Sequence, residues 1–246
     1  ILNPGLTVTS VTDTTGEPLA WVQQRSVIEV LAEILPGDAR KVTLAYAGTI
    51  DLDGFDLLRR EDQKRLRKRG SGPGTKGDLT AWIREASVLL PPRSRWYPVP
   101  GVDYGHDFER PVSFSTADIS VTAPGDIEII TQGKPTGYET LGNRRKVTWQ
   151  ALKPVPSLSL NGGRYAVYEA YIHGIDCAFY IHPSHKKQVT FFEDAGEQAL
   201  EALEQVLDVM EQETGKPYPY PRLSQVEVPF QVQWYYEGWQ ETGGLA

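Results

Sequence analysis

Cysteine is nearly absent. Cys177 is the only one among 246 residues, so no intrachain disulfide can form and a disulfide-stapled secreted scaffold is excluded, although an extracytoplasmic address is not. Basic excess is missing too: 25 Lys and Arg stand against 32 Asp and Glu, a formal net charge of -7. That balance argues against a nucleic-acid partner, because neutralising phosphates requires a basic face. No run approaches the roughly 18 apolar residues of a membrane-spanning helix, and no basic-then-apolar signal pattern opens the chain. The chain begins Ile1-Leu2-Asn3-Pro4-Gly5, without Met. Both ends are expected to be excision points within a longer polypeptide, with a processed mature protein as the alternative.

Histidine is scarce as well, at His106, His173, His182 and His185. The spacing of "HPSH" puts His182 and His185 three apart, but Pro183 disfavours a helix there. No H-E-x-x-H accompanies them and no acid lies nearby at ligand spacing, so they read as exposed turn residues rather than zinc ligands. Cys177, followed by Ala178 and Phe179 without a basic neighbour, reads as an inert core thiol. Neither a glycine-rich phosphate loop nor a G-x-S-x-G elbow is present. By its own residues the chain displays no catalytic machinery.

What the sequence does contain is β pattern. A chain of this length forms one large or two moderate domains and buries roughly 70% of its unfolded surface. Period-2 alternation runs through "KVTLAYAG", "DIEIITQG" and "RKVTWQAL", with "LPGD", "TAPGD", "GKPTG" and "ETLGN" as turn clusters between strands. Residues 1–155 are therefore expected to form a β-rich domain, a sandwich or saddle-shaped sheet pair. One interruption, "LLRREDQKRLRKRGSGPGTKGD", carries Arg59, Arg60, Lys64, Arg65, Arg67, Lys68 and Arg69 and then dissolves into Gly, Ser and Pro. It reads as a solvated insertion ending in a linker, or as a contact with an anionic lipid surface.

Beyond Pro154 the texture changes. "RYAVYEAYIHGIDCAFYIHP" and "QVTFFED" predict buried strands covered on both faces. Asp194 as N-cap with Glu197 three residues on predicts a helix over about 195–214, with Leu200, Leu203, Val206, Leu207 and Met210 as its apolar stripe. Gly215 and Pro217 stop it. Residues 156–246 thus form an α+β part. They end in a strand-forming "LSQVEVP" and in "WYYEGWQETGGLA", where glycines flank the isolated acid Glu241. Such a setting could present a carboxylate at a cleft edge, although composition alone favours an acid on a solvated loop.

At these residues the chain resembles the aminopeptidase N-like zinc metallopeptidases, the thermolysin-related gluzincins. In that family a helix ends in a G-x-P-Y-P turn, a strand ending in Val-Pro follows, and a Gly-Ala-Met-Glu-Asn motif comes next, trailed by Gly-Leu. Here "GKPYPYPRLSQVEVP" and "GWQETGGL" stand in that order. Gly238, Glu241 and Gly244-Leu245 match, while Trp239, Gln240 and Thr242 replace Ala, Met and Asn. Upstream, "LLPPRSRWYPVPG" and "ISVTAPGDIEIITQGK" resemble passages of the family's N-terminal β domain. "ILNPGLTVTSV" resembles the start of that domain in versions fused behind an ABC-type permease.

The resemblance implies a fold, a mainly β N-terminal domain followed by the first sheet-plus-helix portion of a thermolysin-like domain. It also implies a substrate-binding segment comprising Gly238, Trp239, Gln240 and Glu241. Glu241 would hold the free α-amine of a peptide and the Gly238 segment would pair with the substrate backbone as an edge strand. The family's H-E-x-x-H helix follows that segment. No cofactor is thus expected in this chain, zinc is expected in a full-length parent, and the fragment alone is expected to be inactive. The implied partners are a peptide substrate and a membrane-embedded remainder of the same polypeptide. The alternative is a non-catalytic β-rich interaction or scaffold module of a membrane transporter.

Overall fold

The computed structural model describes residues 1–32, 39–50, 81–101, 114–187 and 195–228. Among them are fourteen strands and one α-helix. The expected class, mainly β with an α+β second part, is the observed one. Contacts divide the chain into two compact units, Ile1–Trp82 with Leu90–Pro111, and Ile83–Leu89 with Val112–Ala246.

In the first unit β1 (Leu6–Thr12) pairs antiparallel with β4 (Thr43–Gly48), and β2 (Trp21–Gln24) pairs with β3 (Val27–Val30). Leu2, Leu6, Val8 and Val11 form its aliphatic core. Side-chain amides fix the backbone around that core. Gln23 accepts from the Val8 N–H and donates to the Leu6 carbonyl, both at 2.8 Å. Buried Asn3 donates to the Ser94 carbonyl and accepts from the Gly5 N–H, both at 2.9 Å.

The second unit holds three sheets. One runs β7 (Ser115–Pro124), β10 (Arg144–Val155), β9 (Lys134–Leu141). Another runs β5 (Trp82–Arg84), β6 (Ser87–Leu90), β11 (Leu160–Gly163), β8 (Glu128–Thr131). The third runs β12 (Ala166–Ile172), β13 (Ile175–Ile181), β14 (Arg222–Val226). The alternation read in "RKVTWQAL" appears as Val147 and Trp149, each 1% exposed, at the centre of a cluster with Ile119, Ile130, Ala178 and Tyr180.

After the antiparallel β12–β13 hairpin the chain returns through α1 (Ala195–Thr214) to lay β14 parallel to β13. A parallel neighbour demands such a crossover. Leu207 is buried on α1 with Ile172, Ile175 and Cys177, and Leu200 and Leu203 pack against them. Gly196 allows the helix to start tight against Tyr168, since a Cβ there would fall 2.3 Å from its ring.

Two expectations need correction. Val206 and Met210 of the anticipated apolar stripe are 54% and 56% exposed. At about 100° per residue they lie roughly 60–100° around the helix from Leu207, outside the arc that faces the sheet. The edge strand β12 is not covered on both faces either. Val167, Glu169 and Tyr171 alternate outward, Tyr171 being 74% exposed, and among the described residues β12 is an edge strand of its sheet. The "QVTFFED" stretch, Asp194 and the basic insertion lie outside the described residues, and among the described residues no helix is long and apolar enough to cross a membrane.

Candidate functional site

The strand that the resemblance places before the substrate-binding segment is β14, and its two ends are anchored differently. At its start Arg222 buries a guanidinium, which requires partners. Its Nη2 donates to Tyr180 Oη at 2.9 Å and to Glu169 Oε1 at 3.2 Å, and its Nε to Ser224 Oγ at 3.1 Å. The guanidinium carbon also lies 5.8 Å from the Trp149 ring centroid, a cation–π arrangement. Burial raises the Tyr180 phenol above its ordinary range, and the Arg222 charge opposes that rise.

At the other end the backbone N–H of Glu227 donates to the Tyr180 carbonyl at 2.9 Å, and its carboxylate reaches back to the turn after β13. Glu227 Oε2 accepts the His182 N–H at 2.7 Å, and Oε1 bonds closely to His185 Nδ1. His182 Nδ1 in turn meets Ser184 Oγ at 2.7 Å. His182 is exposed, as the sequence suggests, whereas His185 is partly covered by its acid. That acid is 42 residues away in sequence, so local spacing gave no sign of it.

The remaining candidates resolve as follows. His173 occupies the β12–β13 turn at φ 51° and faces the helix acids, with Nε2 3.4 Å from Asp208 and Nδ1 4.0 Å from Glu211. Cys177 is a free buried thiol, and burial pushes its pKa up, away from thiolate reactivity. Gly238, Trp239, Gln240 and Glu241 lie outside the described residues, which end at 228, and so does His106. Among the described residues no cluster of three or more His, Cys, Asp and Glu side chains could hold a metal ion. None of them is therefore assigned to zinc.

The β-rich fold of the described residues, with one α-helix among them and a returning strand, is similar to that of the N-terminal part of M1 zinc metallopeptidases. Among solved structures, a mutant of the M1 zinc metallopeptidase from Deinococcus radiodurans superposes with a TM-score of 0.66 at 19% identity over 94% of this chain and 48% of that one. The mutant of that enzyme bound to a Tyr-Ser-Ala substrate gives a TM-score of 0.65 at 19% identity, and the enzyme without the mutation gives 0.63 at 20%, both over the same shares. The chain thus spans about half the length of these structures. No protein-family model matches the sequence, and no similar curated protein was found.

Proposed function

We propose that this chain is the front portion of a zinc aminopeptidase-like protein, with residues 1–155 as its N-terminal β domain and 156–246 as the beginning of its peptidase domain. The observation that carries the reading is the fold likeness to M1 zinc metallopeptidases along 94% of the chain. The ordered turn, Val-Pro strand and Gly-x-x-Glu sequence support it. On this reading β14 leads into the segment that binds the substrate backbone, and Glu241 accepts the ammonium of a peptide's first residue. A carboxylate in a partly dry cleft holds an ammonium by a charge-assisted hydrogen bond and so restricts cleavage to the N-terminal residue. Gly238 permits close backbone approach, and Trp239 and Gln240 flank the first side-chain position. The metal ligands come from a continuation of the polypeptide, and this chain by itself does not hydrolyse peptides.

A second reading is a peptide-holding module of a membrane transporter, one form being a fusion behind an ABC-type permease. It is favoured by the departures from the family motif at Trp239, Gln240 and Thr242, since a threonine cannot supply both the donor and the acceptor of an asparagine amide. A chromogenic aminoacyl amide assayed with the longer polypeptide and with this chain separates the two readings. Metal-dependent turnover by the longer form alone is expected. Peptide binding without turnover by the longer form would put the module reading in front, and turnover by the 246-residue chain itself would contradict both.

A further inference from the structure

A cavity of about 150 Å³ opens in the second unit between the β9–β10 hairpin and the turn that precedes β14. Two irregularities in the β ladder create it. Leu152, Lys153 and Pro154 of β10 stand opposite Thr116 alone, because pairing passes from Ala151–Ala117 to Val155–Ser115. On the other side Thr136 of β9 is the extra residue between the Thr148–Gly137 and Trp149–Pro135 pairs. Bulges of this kind re-aim side chains out of a regular ladder. Gly133, at φ +94° between β8 and β9, brings the start of β9 close to β10, since a Cβ there would lie 2.2 Å from the Gln150 carbonyl oxygen. The far wall is Tyr220 and Pro221, in a turn whose backbone Pro217, Pro219 and Pro221 stiffen.

The charge of the lining is unlike that of the chain. Against a formal net charge of -7, the cavity is lined among the described residues by Lys134, Lys153 and Arg222 and by no carboxylate. Lys134 pairs with Asp176 and Arg222 with Glu169, both outside the lining. Lys153 differs: among the described residues its ammonium donates only to the Pro219 carbonyl, which leaves N–H groups for a further acceptor. Beside it Leu152 is 72% exposed, and Ala151, Val155, Pro135 and the Tyr220 ring complete an apolar body. A cavity of this volume accommodates a single benzene-sized group.

From this we infer that the cavity is a binding site for a small organic carboxylate with a compact apolar body, of the aromatic or branched aliphatic acid class. The acid's body lies against Leu152, Val155 and Tyr220, and its carboxylate takes the free N–H groups of Lys153. A bound acid fastens the β9–β10 hairpin to the first residues of β14, so occupancy stiffens the strand from its Arg222 end.

Titration of the isotope-labelled 246-residue chain with sodium benzoate tests this, read by amide NMR shifts. Saturable shifts confined to Thr136, Ala151–Lys153, Tyr220 and Arg222 are expected. Lys153→Met keeps the aliphatic stem and loses the charge, so benzoate affinity should fall about tenfold, the worth of one charge-assisted hydrogen bond. Benzyl alcohol, the same ring without the charge, should bind wild type and variant equally weakly. Lys153 is exposed, and an unchanged thermal melt confirms that the variant folds. Shifts that stay linear with concentration or spread over the surface would overturn the proposal, as would equal benzoate affinity of the wild type and Lys153→Met.

Discussion

The sheet β12–β13–β14 has two faces built on different chemistry. Toward α1 it presents Ile172, Ile175 and Cys177, closed by Leu207, an aliphatic layer that holds by area alone. Toward β10 it presents Ala178 and Tyr180 against Trp149, with the Arg222 guanidinium set among them. The first face tolerates any residue of suitable volume, whereas the second has donors and acceptors that must each find a partner. That difference fixes β14. A one-residue slip of its register would turn Leu223 toward Trp149 and drive Arg222 and Ser224 into the helix face. The aliphatic layer therefore supplies cohesion and the polar one supplies register, and register sets where everything after Val226 begins.

The largest expected effect breaks the comparison at its two apolar centres. Trp149→Ala should cost about 3–5 kcal/mol and Leu207→Ala about 2–4 kcal/mol, since both leave a cavity in a packed layer. Urea denaturation measures both, and a Leu207→Ala cost near zero would contradict the cohesion assigned to the aliphatic layer. The next effect isolates register. Arg222→Ala should cost about 2–3 kcal/mol because Tyr180 loses its partner and the aliphatic stem its packing. Glu169→Ala should cost less than about 1 kcal/mol, because that carboxylate remains mostly in water. Equal costs for the two would mean that Arg222 acts through its ion pair alone.

A smaller effect sharpens the comparison through pH, with one tyrosine on each face. Tyr165 packs on the Trp149 cluster and Tyr218 on the helix-side cluster. Burial pushes each phenol up to about 12 from an ordinary 10.0, with the Glu227 charge adding to the rise at Tyr165. The folded state holds these protons more tightly than the unfolded state. Their contribution is therefore complete below pH 10 and is lost as the pH climbs through about 12. Tyr165→Phe and Tyr218→Phe should each flatten the alkaline limb of a stability–pH curve. A limb left unchanged by both would contradict the account of their burial.

Sequence pattern alone conveyed the elements better than their exposure. The helix over 195–214 and the strands around Leu44, Ile129 and Trp149 stand where periodicity and capping put them. Local rules suffice around Leu44 and Trp149 because burial there repeats with the period of the strand, whereas β8 buries Ile129, Ile130 and Thr131 in succession. Val206, Met210 and Tyr171 were misjudged because their exposure depends on which neighbour covers which face, a tertiary fact that no window of residues contains. The Arg222–Tyr180–Glu169 and Glu227–His185 networks were invisible for the same reason, with partners 42 or 53 positions apart. Glu241 remains a reading of motif order alone, which makes it the residue to test.

The most direct measurement is kcat/KM of the longer polypeptide with free and N-acetylated peptides, before and after Glu241→Gln. The substitution keeps size and removes charge. It should cost about 2–4 kcal/mol of transition-state stabilisation on free peptides, the scale for breaking a desolvated charge pair. Acetylated peptides, which carry no ammonium, should be poor substrates already for the wild type and should lose little further. Turnover that is equal for free and blocked peptides and unchanged by Glu241→Gln would contradict the account and leave Glu241 as a surface acid.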